Sequence, residues 1–248
     1  MKNDIDTIEL LDCPIANLTL DETVHFIDNM IESKQYIHQT SVNAAKLVYM
    51  NKNSELKNNV ISSDLINADG MAVIWASKFL NRSLQERVTG IDLMQNIVRL
   101  AFEKKYKIFF LGAEEEIVKQ VVEHYKEKYS DKVIAGYCNG YFNGKDEMIA
   151  REISESGAHI LFVAMSSPEK ESFLNRYKKI IDIPFIMGVG GSFDVIAGKV
   201  NRAPYWMQRY GLEWFYRLIQ EPRRMWKRYL YTNIMFIWLV LKEKFGQS

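Results

Sequence analysis

Short apolar runs alternate with longer segments of helical periodicity from residue 5 to about residue 196. The runs are rich in β-branched and aromatic residues and have the length of strands, whereas the longer segments repeat their apolar positions at helical spacing. The predicted strands lie at residues 36–40, 65–67, 107–111, 133–135, 158–164 and 184–189, and helices are predicted at residues 44–49, 71–80 and 114–129. This alternation indicates an α/β fold with a mainly parallel sheet covered by helices on both faces. Ligands of such sheets bind beyond the carboxyl ends of the strands.

The pattern changes after Ala197, where strand-like runs end and aromatic and basic residues become frequent. The remaining segment, about 50 residues long, is too short to build a core of its own. We therefore predict two parts, an α/β body at residues 1–197 and a helical appendage at residues 198–248.

Charge is distributed unevenly between these two parts. Residues 199–248 hold ten bases and three acids, a net charge of +7, although the formal charge of the whole chain is only +1. The body is therefore mildly acidic and the appendage strongly basic. Such asymmetry indicates contact with an anionic surface.

An uncharged segment at residues 229–241 lies within the basic appendage. It is shorter than the stretch of about 20 apolar residues that a membrane-spanning helix needs. Cations flank it on both sides, and Trp226 and Trp238 suit a membrane interface. These features predict a helix that lies in the headgroup region with its cations near anionic lipids. The alternatives are a helix docked on the body with solvated charges, or a nucleic-acid-binding surface, a partner that we do not expect.

The composition is typical of a folded globular protein. The chain has 248 residues, of which 48% are hydrophobic and 25% charged, enough for a substantial core. Its first residues are acidic where a signal peptide has bases and an apolar stretch, so we expect no export. Cys13 and Cys138 have neither metal-ligand nor disulfide spacing, which fits a reducing cytoplasm and burial as small apolar groups. The histidines do not cluster, and we predict neither a metal nor a cofactor.

A glycine-rich turn follows the last predicted strand. The sequence Gly-Val-Gly-Gly-Ser-Phe-Asp at residues 188–194 includes Gly190 and Gly191, which would allow a phosphate or a sugar to approach the backbone closely. A tight turn from strand to helix needs the same glycines, so the signal is weak by itself. The spacing does not match the dinucleotide fingerprint, and NAD is not predicted.

Two further junctions hold polar residues. Asp69 lies between a short strand and a helix, where a carboxylate could be a general base or the N-cap of that helix. Spacing alone favours the cap. In the next junction Thr89 or Asp92 could cap a helix, and Arg87 could bind an anion.

The basic appendage contains several arginines in addition to its lysines. Guanidinium groups bind phosphate oxygens through two hydrogen bonds, and a departing diphosphate needs cations where its charge develops. The candidates are Arg202, Arg217, Arg223, Arg224 and Arg228. The alternative is a set of surface arginines that face lipid.

Ordered motifs between residues 8 and 228 resemble one bacterial enzyme family. The motifs are Ser-Val-Asn-Ala at 41–44, Asn-Ala-Asp-Gly at 67–70, Arg-Val-Thr-Gly-Ile-Asp-Leu at 87–93, Phe-Leu-Gly at 110–112, Gly-Tyr-Phe at 140–142, the glycine-rich turn at 188–194, Ala-Gly at 197–198, Arg-Ala-Pro at 202–204, Gly-Leu-Glu-Trp at 211–214 and Glu-Pro-Arg-Arg at 221–224. In this order they resemble the WecG/TagA/CpsF glycosyltransferases, also called glycosyltransferase family 26. That family includes the teichoic-acid linkage-unit N-acetylmannosamine transferases.

The resemblance implies an inverting, metal-independent transfer on a Rossmann-like body. The donor would be a UDP-sugar, with N-acetylmannosamine or a related N-acetylhexosamine as the sugar, and the acceptor a sugar on undecaprenyl diphosphate. The enzyme would work in the cytoplasm, peripherally on the inner face of the membrane, which its appendage would meet. The resemblance leaves open whether the chain forms a homo-oligomer.

The resemblance also implies roles for individual residues. Asp69 would be the catalytic base, and Thr40 or Ser41 would orient a substrate together with Asn43. The donor nucleotide sugar would contact Arg87, Gly112, Lys170, Glu171, Gly190, Gly191 and Asp194. The diphosphate would contact Arg202, Arg217, Arg223 and Arg224.

One loop departs from the family pattern. Family members usually read Gly-x-Gly-x-Pro-Lys-Gln-Glu, whereas this chain has Ala-Met-Ser-Ser-Pro-Glu-Lys-Glu at residues 164–171, with Lys170 at the glutamine position. The loop is expected to border the donor or the acceptor. Two alternatives follow: a donor such as UDP-glucose in capsule synthesis, or a subunit that binds nucleotide sugars without catalysis.

Overall fold

The computed structural model describes residues 5–142, 144–166 and 168–246, except for the side chain of Arg224. In this part of the chain the strands are β1 (Thr7–Leu10), β2 (Cys13–Ala16), β3 (Ile37–Val42), β4 (Leu65–Ala68), β5 (Ile108–Gly112), β6 (Ile134–Cys138), β7 (Ile160–Ala164) and β8 (Phe185–Gly188). The helices of the body are α1 (Leu20–Glu32), α2 (Ala44–Lys52), α3 (Ser54–Ile61), α4 (Met71–Phe79), α5 (Gly90–Lys104), α6 (Glu115–Lys128), α7 (Asp146–Glu155), α8 (Glu169–Ile181) and α9 (Ser192–Ile196). The helices beyond residue 197 are α10 (Tyr205–Arg209), α11 (Glu213–Gln220) and α12 (Pro222–Phe245).

Strands β3 to β8 form one parallel sheet in the order β4-β3-β8-β7-β5-β6. Side chains alternate between its two faces, so that Ile108 and Phe110 pack on one side and Phe109 and Leu111 on the other. Helices α1, α5, α6 and α9 cover the first face, while α2, α3, α4, α7 and α8 cover the second. The predicted α/β fold with a parallel sheet covered on both faces is therefore confirmed.

Several boundaries differ from the sequence prediction. The strand predicted at residues 36–40 is β3 and extends to Val42, which places Ser41 within the sheet. The strand predicted at 133–135 is β6, which begins one residue later and continues to Cys138. The residues beyond the predicted ends include polar or small ones, such as Ser41 and Gly136, which interrupt the apolar pattern.

An N-terminal hairpin was not predicted from the sequence. Strands β1 and β2 pair antiparallel across a two-residue turn, and both turn residues, Leu11 and Asp12, have positive φ angles of 51° and 55°. Such a turn usually contains Asn-Gly or a similar pair, and the Leu-Asp pair gives no such signal. The hairpin buries Cys13 as expected, whereas Cys138 is only half-buried.

The appendage is helical, as predicted, and its last helix docks on the body. Helix α12 packs along α2, and Phe236, Leu239 and Val240 are buried in a cluster with Leu47 and Val48. One face of α12 therefore completes the core of the body, in agreement with the docked alternative. The boundary between residues 197 and 198 stays a prediction.

The opposite face of α12 is apolar as well. Leu230, Ile234 and Ile237 are each more than half exposed, and Leu241 and Phe245 follow them at helical spacing. In the described residues no helix combines the length and hydrophobicity that a bilayer-spanning segment requires.

Docking of α12 should make a measurable contribution to stability. Leu239 is 5% exposed and Leu230 is 57% exposed on the same helix. We expect Leu239→Ala to lower the free energy of unfolding by about 2–5 kcal/mol, because it leaves a cavity against α2. Leu230→Ala, the matched control, should change it by less than about 1 kcal/mol. Urea denaturation without lipid measures both, and equal effects would contradict the docked arrangement.

Candidate active site

A cleft of about 1050 Å³ opens beyond the carboxyl ends of the parallel strands. Its floor is formed by the segments that follow β3, β4, β7 and β8, while α11 and α12 contribute one wall. The predicted site residues that line it are Ser41, Asn43, Asp69, Lys170, Gly190, Gly191, Asp194, Arg202 and Arg217. The cleft lies at the edge where a parallel sheet is expected to bind its ligand.

Asp69 follows β4 at the floor of this cleft. Its backbone N–H donates to the carbonyl of Val42 at 2.9 Å, and its Oδ1 accepts a hydrogen bond from the N–H of Gly90 at 3.2 Å. The predicted N-cap role is wrong for the following helix, because Gly70 occupies the cap of α4 without a side-chain hydrogen bond. Burial raises the pKa of the Asp69 carboxyl to about 6, although the Gly90 hydrogen bond opposes the shift.

The junction before α5 joins the body to the appendage. Thr89 caps α5, as predicted, by accepting from the N–H of Asp92 at 3.1 Å. The Asp92 carboxylate in turn pairs with Arg202 of the appendage at 2.7 Å. Arg87 pairs with Glu213, the first residue of α11, which also lies 4.0 Å from Arg202. Two arginines and two acids thus hold α11 against the body.

The polar residues of β3 have different surroundings. Ser41 and Asn43 line the cleft, and Asn43 also caps α2 by accepting from the N–H of Lys46 at 3.0 Å. Thr40 is 2% exposed and does not line the cleft, and its hydroxyl accepts from Lys46 Nζ at 3.0 Å. Between the two hydroxyls proposed for substrate contact, the structure brings only that of Ser41 to the cleft.

Two lysines share one buried glutamate at the side of the cleft formed by α2 and α8. Oε1 of Glu171 lies 3.2 Å from Lys46 Nζ and 3.4 Å from Lys170 Nζ. Both lysines line the cleft, whereas Glu171 lies behind them. Burial and the neighbouring Lys170 charge lower the pKa of Lys46 to about 8. Lys46 was not among the residues predicted for the site. Its position in the first turn of α2, just after a predicted strand, was the signal that could have identified it.

The glycine-rich turn reaches the cleft as predicted. Gly190 has a φ of +52°, which only glycine adopts without strain, and no atom lies near the place of a missing Cβ. Beside it, an added Cβ at Gly191 would lie 3.3 Å from Nη2 of Arg217. The Nε atom of Arg217 is buried without a hydrogen-bond partner among the described residues. This guanidinium therefore has unused donor capacity close to the turn.

Some predicted site residues lie away from the cleft. Gly112 has a φ of +119°, and a Cβ there would lie 2.5 Å from the backbone of Ala164, so its close packing on β7 explains the glycine. Arg87 pairs with Glu213, and Glu171 pairs with Lys46. Neither Arg87 nor Glu171 lines the cleft. Arg223 is exposed in the first turn of α12 and does not line the cleft, and the side chain of Arg224 lies outside the described residues.

Other cleft residues were not assigned to the site from the sequence. They include Lys46, Tyr141, Lys199, Asn201, Tyr216 and Gln220, while Arg228, a candidate among the appendage arginines, lines the cleft as predicted. Asn201 and Gln220 hydrogen-bond each other through backbone and side chain at 3.1 and 3.0 Å, which ties α11 to the segment after α9. In the described residues, no group of three His, Cys, Asp or Glu side chains is placed to hold a metal.

A parallel α/β sheet with a cationic cleft and a carboxyl of raised pKa in its floor suits an enzyme that acts on a phosphate-bearing substrate. The kind of reaction follows from sequence comparison. The chain belongs to the glycosyl transferase WecG/TagA/CpsF family, whose sequence model matches residues 8–248. The chain is therefore a glycosyltransferase.

Two characterised relatives are similar over most of the chain. A protein of Bacillus subtilis (strain 168) is 35% identical over 237 residues, which cover 93% of this chain and 90% of that protein. One of Bacillus spizizenii is 38% identical over 183 residues, which cover 74% of this chain and 70% of the relative. Both are named N-acetylglucosaminyldiphosphoundecaprenol N-acetyl-beta-D-mannosaminyltransferase.

Catalysis should depend on the ionisation of Asp69. The raised pKa of about 6 means that this carboxyl is protonated below about pH 6 and is a carboxylate above it. We expect kcat/KM for sugar transfer to fall on the acidic side with an apparent pKa near 6, because a protonated carboxyl cannot accept a proton. A pH series measured with subsaturating substrates tests this. An acidic limb near pH 4 would contradict the buried position of the carboxyl.

Proposed function

We propose that this chain transfers N-acetylmannosamine, or a closely related N-acetylhexosamine, from a UDP-sugar to N-acetylglucosaminyl diphosphoundecaprenol. The observation that supports this most directly is the Asp69 carboxyl, whose pKa burial raises, in the floor of a cationic cleft. The names of the two relatives supply the sugar and the acceptor.

Asp69 is the general base of the proposed reaction. Its carboxylate removes the proton of the acceptor hydroxyl while that oxygen forms a bond to the anomeric carbon and the bond to UDP breaks on the opposite face. The configuration at the anomeric carbon is inverted. The Gly90 N–H fixes the orientation of the carboxylate, and its raised pKa makes it a stronger base than an exposed aspartate.

The appendage supplies cations for the departing diphosphate. Arg217 lies beside Gly191 and has donor capacity that no described residue uses. Arg202 and Lys199 line the same wall of the cleft. Positive groups placed before the reaction stabilise the charge that develops on the leaving diphosphate. Ser41 and Asn43, at the end of β3, contact the substrates near Asp69.

The proposed transfer is tested by mass analysis of the product. We expect the protein to add one N-acetylhexosamine to a synthetic polyprenyl-diphosphate N-acetylglucosamine when UDP-N-acetylmannosamine is the donor, and UDP-glucose to give no product. Asp69→Asn should lower kcat by about 10²-fold or more, because the base is lost. UDP affinity should be unchanged in that variant, as a check that it folds. Product from UDP-glucose alone, or full activity of the variant, would contradict the proposal.

Exposed apolar side chains lie on α12 and on the neighbouring helix α4. The exposed face of α12 includes Ile234 and Ile237, and two residues of α4, Trp75 and Phe79, are also about half exposed. Lys244 of α12 lies 5.5 Å from the Phe79 ring, so the two helices share this surface. Exposed apolar side chains on two neighbouring helices, with a lysine between them, are typical of an interaction site.

We propose that this surface lies in the interfacial region of the membrane. The lipid carrier of the proposed acceptor is anchored there, so the cleft would meet its substrate without a spanning helix. The arrangement combines apolar side chains for insertion with cations for anionic headgroups. The enzyme would work peripherally on the cytoplasmic face of the membrane.

Membrane binding is tested with vesicles of phosphatidylglycerol and phosphatidylcholine. We expect the double variant Ile234→Ser with Ile237→Ser to bind at least about tenfold more weakly, because two exposed side chains lose their insertion energy. Met148→Ser, at a 54% exposed position on α7, is the matched control and should bind normally. Equal binding of both variants would contradict this orientation.

A further inference from the structure

A groove runs from the floor of the cleft along α2. Lys46, Tyr49 and Asn53 follow one another on one face of α2 and its C-terminal end, and Leu56 of α3 continues that line. Lys52 lies at the end of α2, and its ammonium lies 4.7 Å from the ring of Tyr231 on α12. The groove therefore leads from the reaction centre towards the helix whose opposite face is exposed and apolar.

The charge of this groove is positive. Lys46 and Lys170 share Glu171, whose side chain is only 2% exposed, so one positive charge is in excess at the inner end. Lys52 adds a second cation at the outer end, and Arg228 of α12 lines the cleft as well. The acids among the described lining residues belong to other elements: Asp69, Glu114, Asp194 and Glu213.

The spacing of these cations fits an extended anion. Lys46 and Lys52 are six residues apart on one helix, which corresponds to about 9 Å along its axis. The inner ammonium is held at β3, since Lys46 Nζ donates to Thr40 Oγ1 at 3.0 Å and to the carbonyl of Ser41 at 3.3 Å. Asp69 follows the neighbouring strand, about two residues farther along. Strand geometry places these two backbone points about 8 Å apart.

We infer that this groove binds the diphosphate of the lipid-linked acceptor, with Lys52, Lys46 and Lys170 as its cationic contacts. The inference rests on the proposed function, in which donor and acceptor each contain a diphosphate. The arginine wall around Arg217 serves the donor, and the α2 groove serves the acceptor. Lys170, which the family resemblance would place at the donor, then belongs to the acceptor site instead. The acceptor sugar then lies between Lys46 and the base, and the prenyl chain leaves towards α12.

Comparing KM for the acceptor with KM for the donor distinguishes an acceptor-binding role of these lysines from a general effect on catalysis. We expect Lys52→Gln and Lys170→Gln each to raise KM for a short-chain, water-soluble acceptor diphosphate about tenfold, because each removes a charged hydrogen bond. KM for the UDP-sugar and the affinity for UDP should stay within about twofold of the wild-type values. Lys52→Arg, which keeps the charge, should restore acceptor KM. Lys126→Gln on α6, where the exposed lysine pairs with Glu123, is the matched control.

Isothermal titration calorimetry measures acceptor binding directly and does not require turnover. The UDP-saturated protein is titrated with the same acceptor analogue, and both lysine variants should bind it about tenfold more weakly. Unchanged acceptor binding, or an equal loss of UDP affinity, would overturn the assignment. Absence of transfer from every donor, with normal lysine-dependent acceptor binding, would refute the proposed function and leave the groove assigned.

Phospholipid headgroups present the same phosphate chemistry as the acceptor. Binding to vesicles of phosphatidylglycerol and phosphatidylcholine, measured without acceptor, shows whether Lys52 contacts phospholipid headgroups or the acceptor diphosphate. Lys52→Gln should leave vesicle binding within about twofold, because the groove faces the cleft and not the exposed surface of α12. Weaker vesicle binding combined with an unchanged acceptor KM would assign Lys52 to headgroups and overturn the inference.

Discussion

The packing of α12 on α2 determines where the cations of the appendage lie. Because Phe236, Leu239 and Val240 are buried in the same cluster as Leu47 of α2, the last helix cannot move away without exposing part of the core. Its position fixes α11, which precedes it, and thereby holds Arg217 at the edge of the glycine-rich turn. Removal of the whole appendage would therefore destroy part of the core as well as the phosphate contacts. Single substitutions are needed to separate stability from catalysis.

Ion pairs complete the junction between body and appendage. Asp92 and Arg87 of the body pair with Arg202 and Glu213 of the appendage, and each of these side chains is at least two-thirds buried. Charges at such positions need partners, because partial burial removes much of their hydration. The Nε atoms of Arg202 and Arg217 are both buried without a hydrogen-bond partner among the described residues, so both guanidinium groups keep donor capacity for a ligand.

Helix α12 has two apolar faces, and they serve different environments. The residues at 225, 232, 236, 239 and 240 face the body, whereas those at 230, 234, 237 and 241 face outward. A run such as residues 234–241 appears uniformly apolar in sequence, so it does not show that a docked face and an exposed face alternate within it. The two readings considered for this segment, docking and membrane contact, are therefore compatible. Docking is visible in the structure, and membrane contact is our proposal for the other face.

The sequence by itself determined the α/β class, the helical appendage and the placement of Asp69 and the glycine-rich turn at strand ends, and it narrowed the cap of α5 to Thr89 or Asp92. These features depend on local periodicity and turn chemistry, which a short segment contains in full. Only the tertiary structure decided the strand order, the turn of the β1–β2 hairpin and the exclusion of Thr40 from the cleft. It also showed that Lys46 reaches Glu171 on α8, and that Arg87 turns towards Glu213. These contacts join residues far apart in the chain, and they arise from packing between elements, which no local pattern specifies.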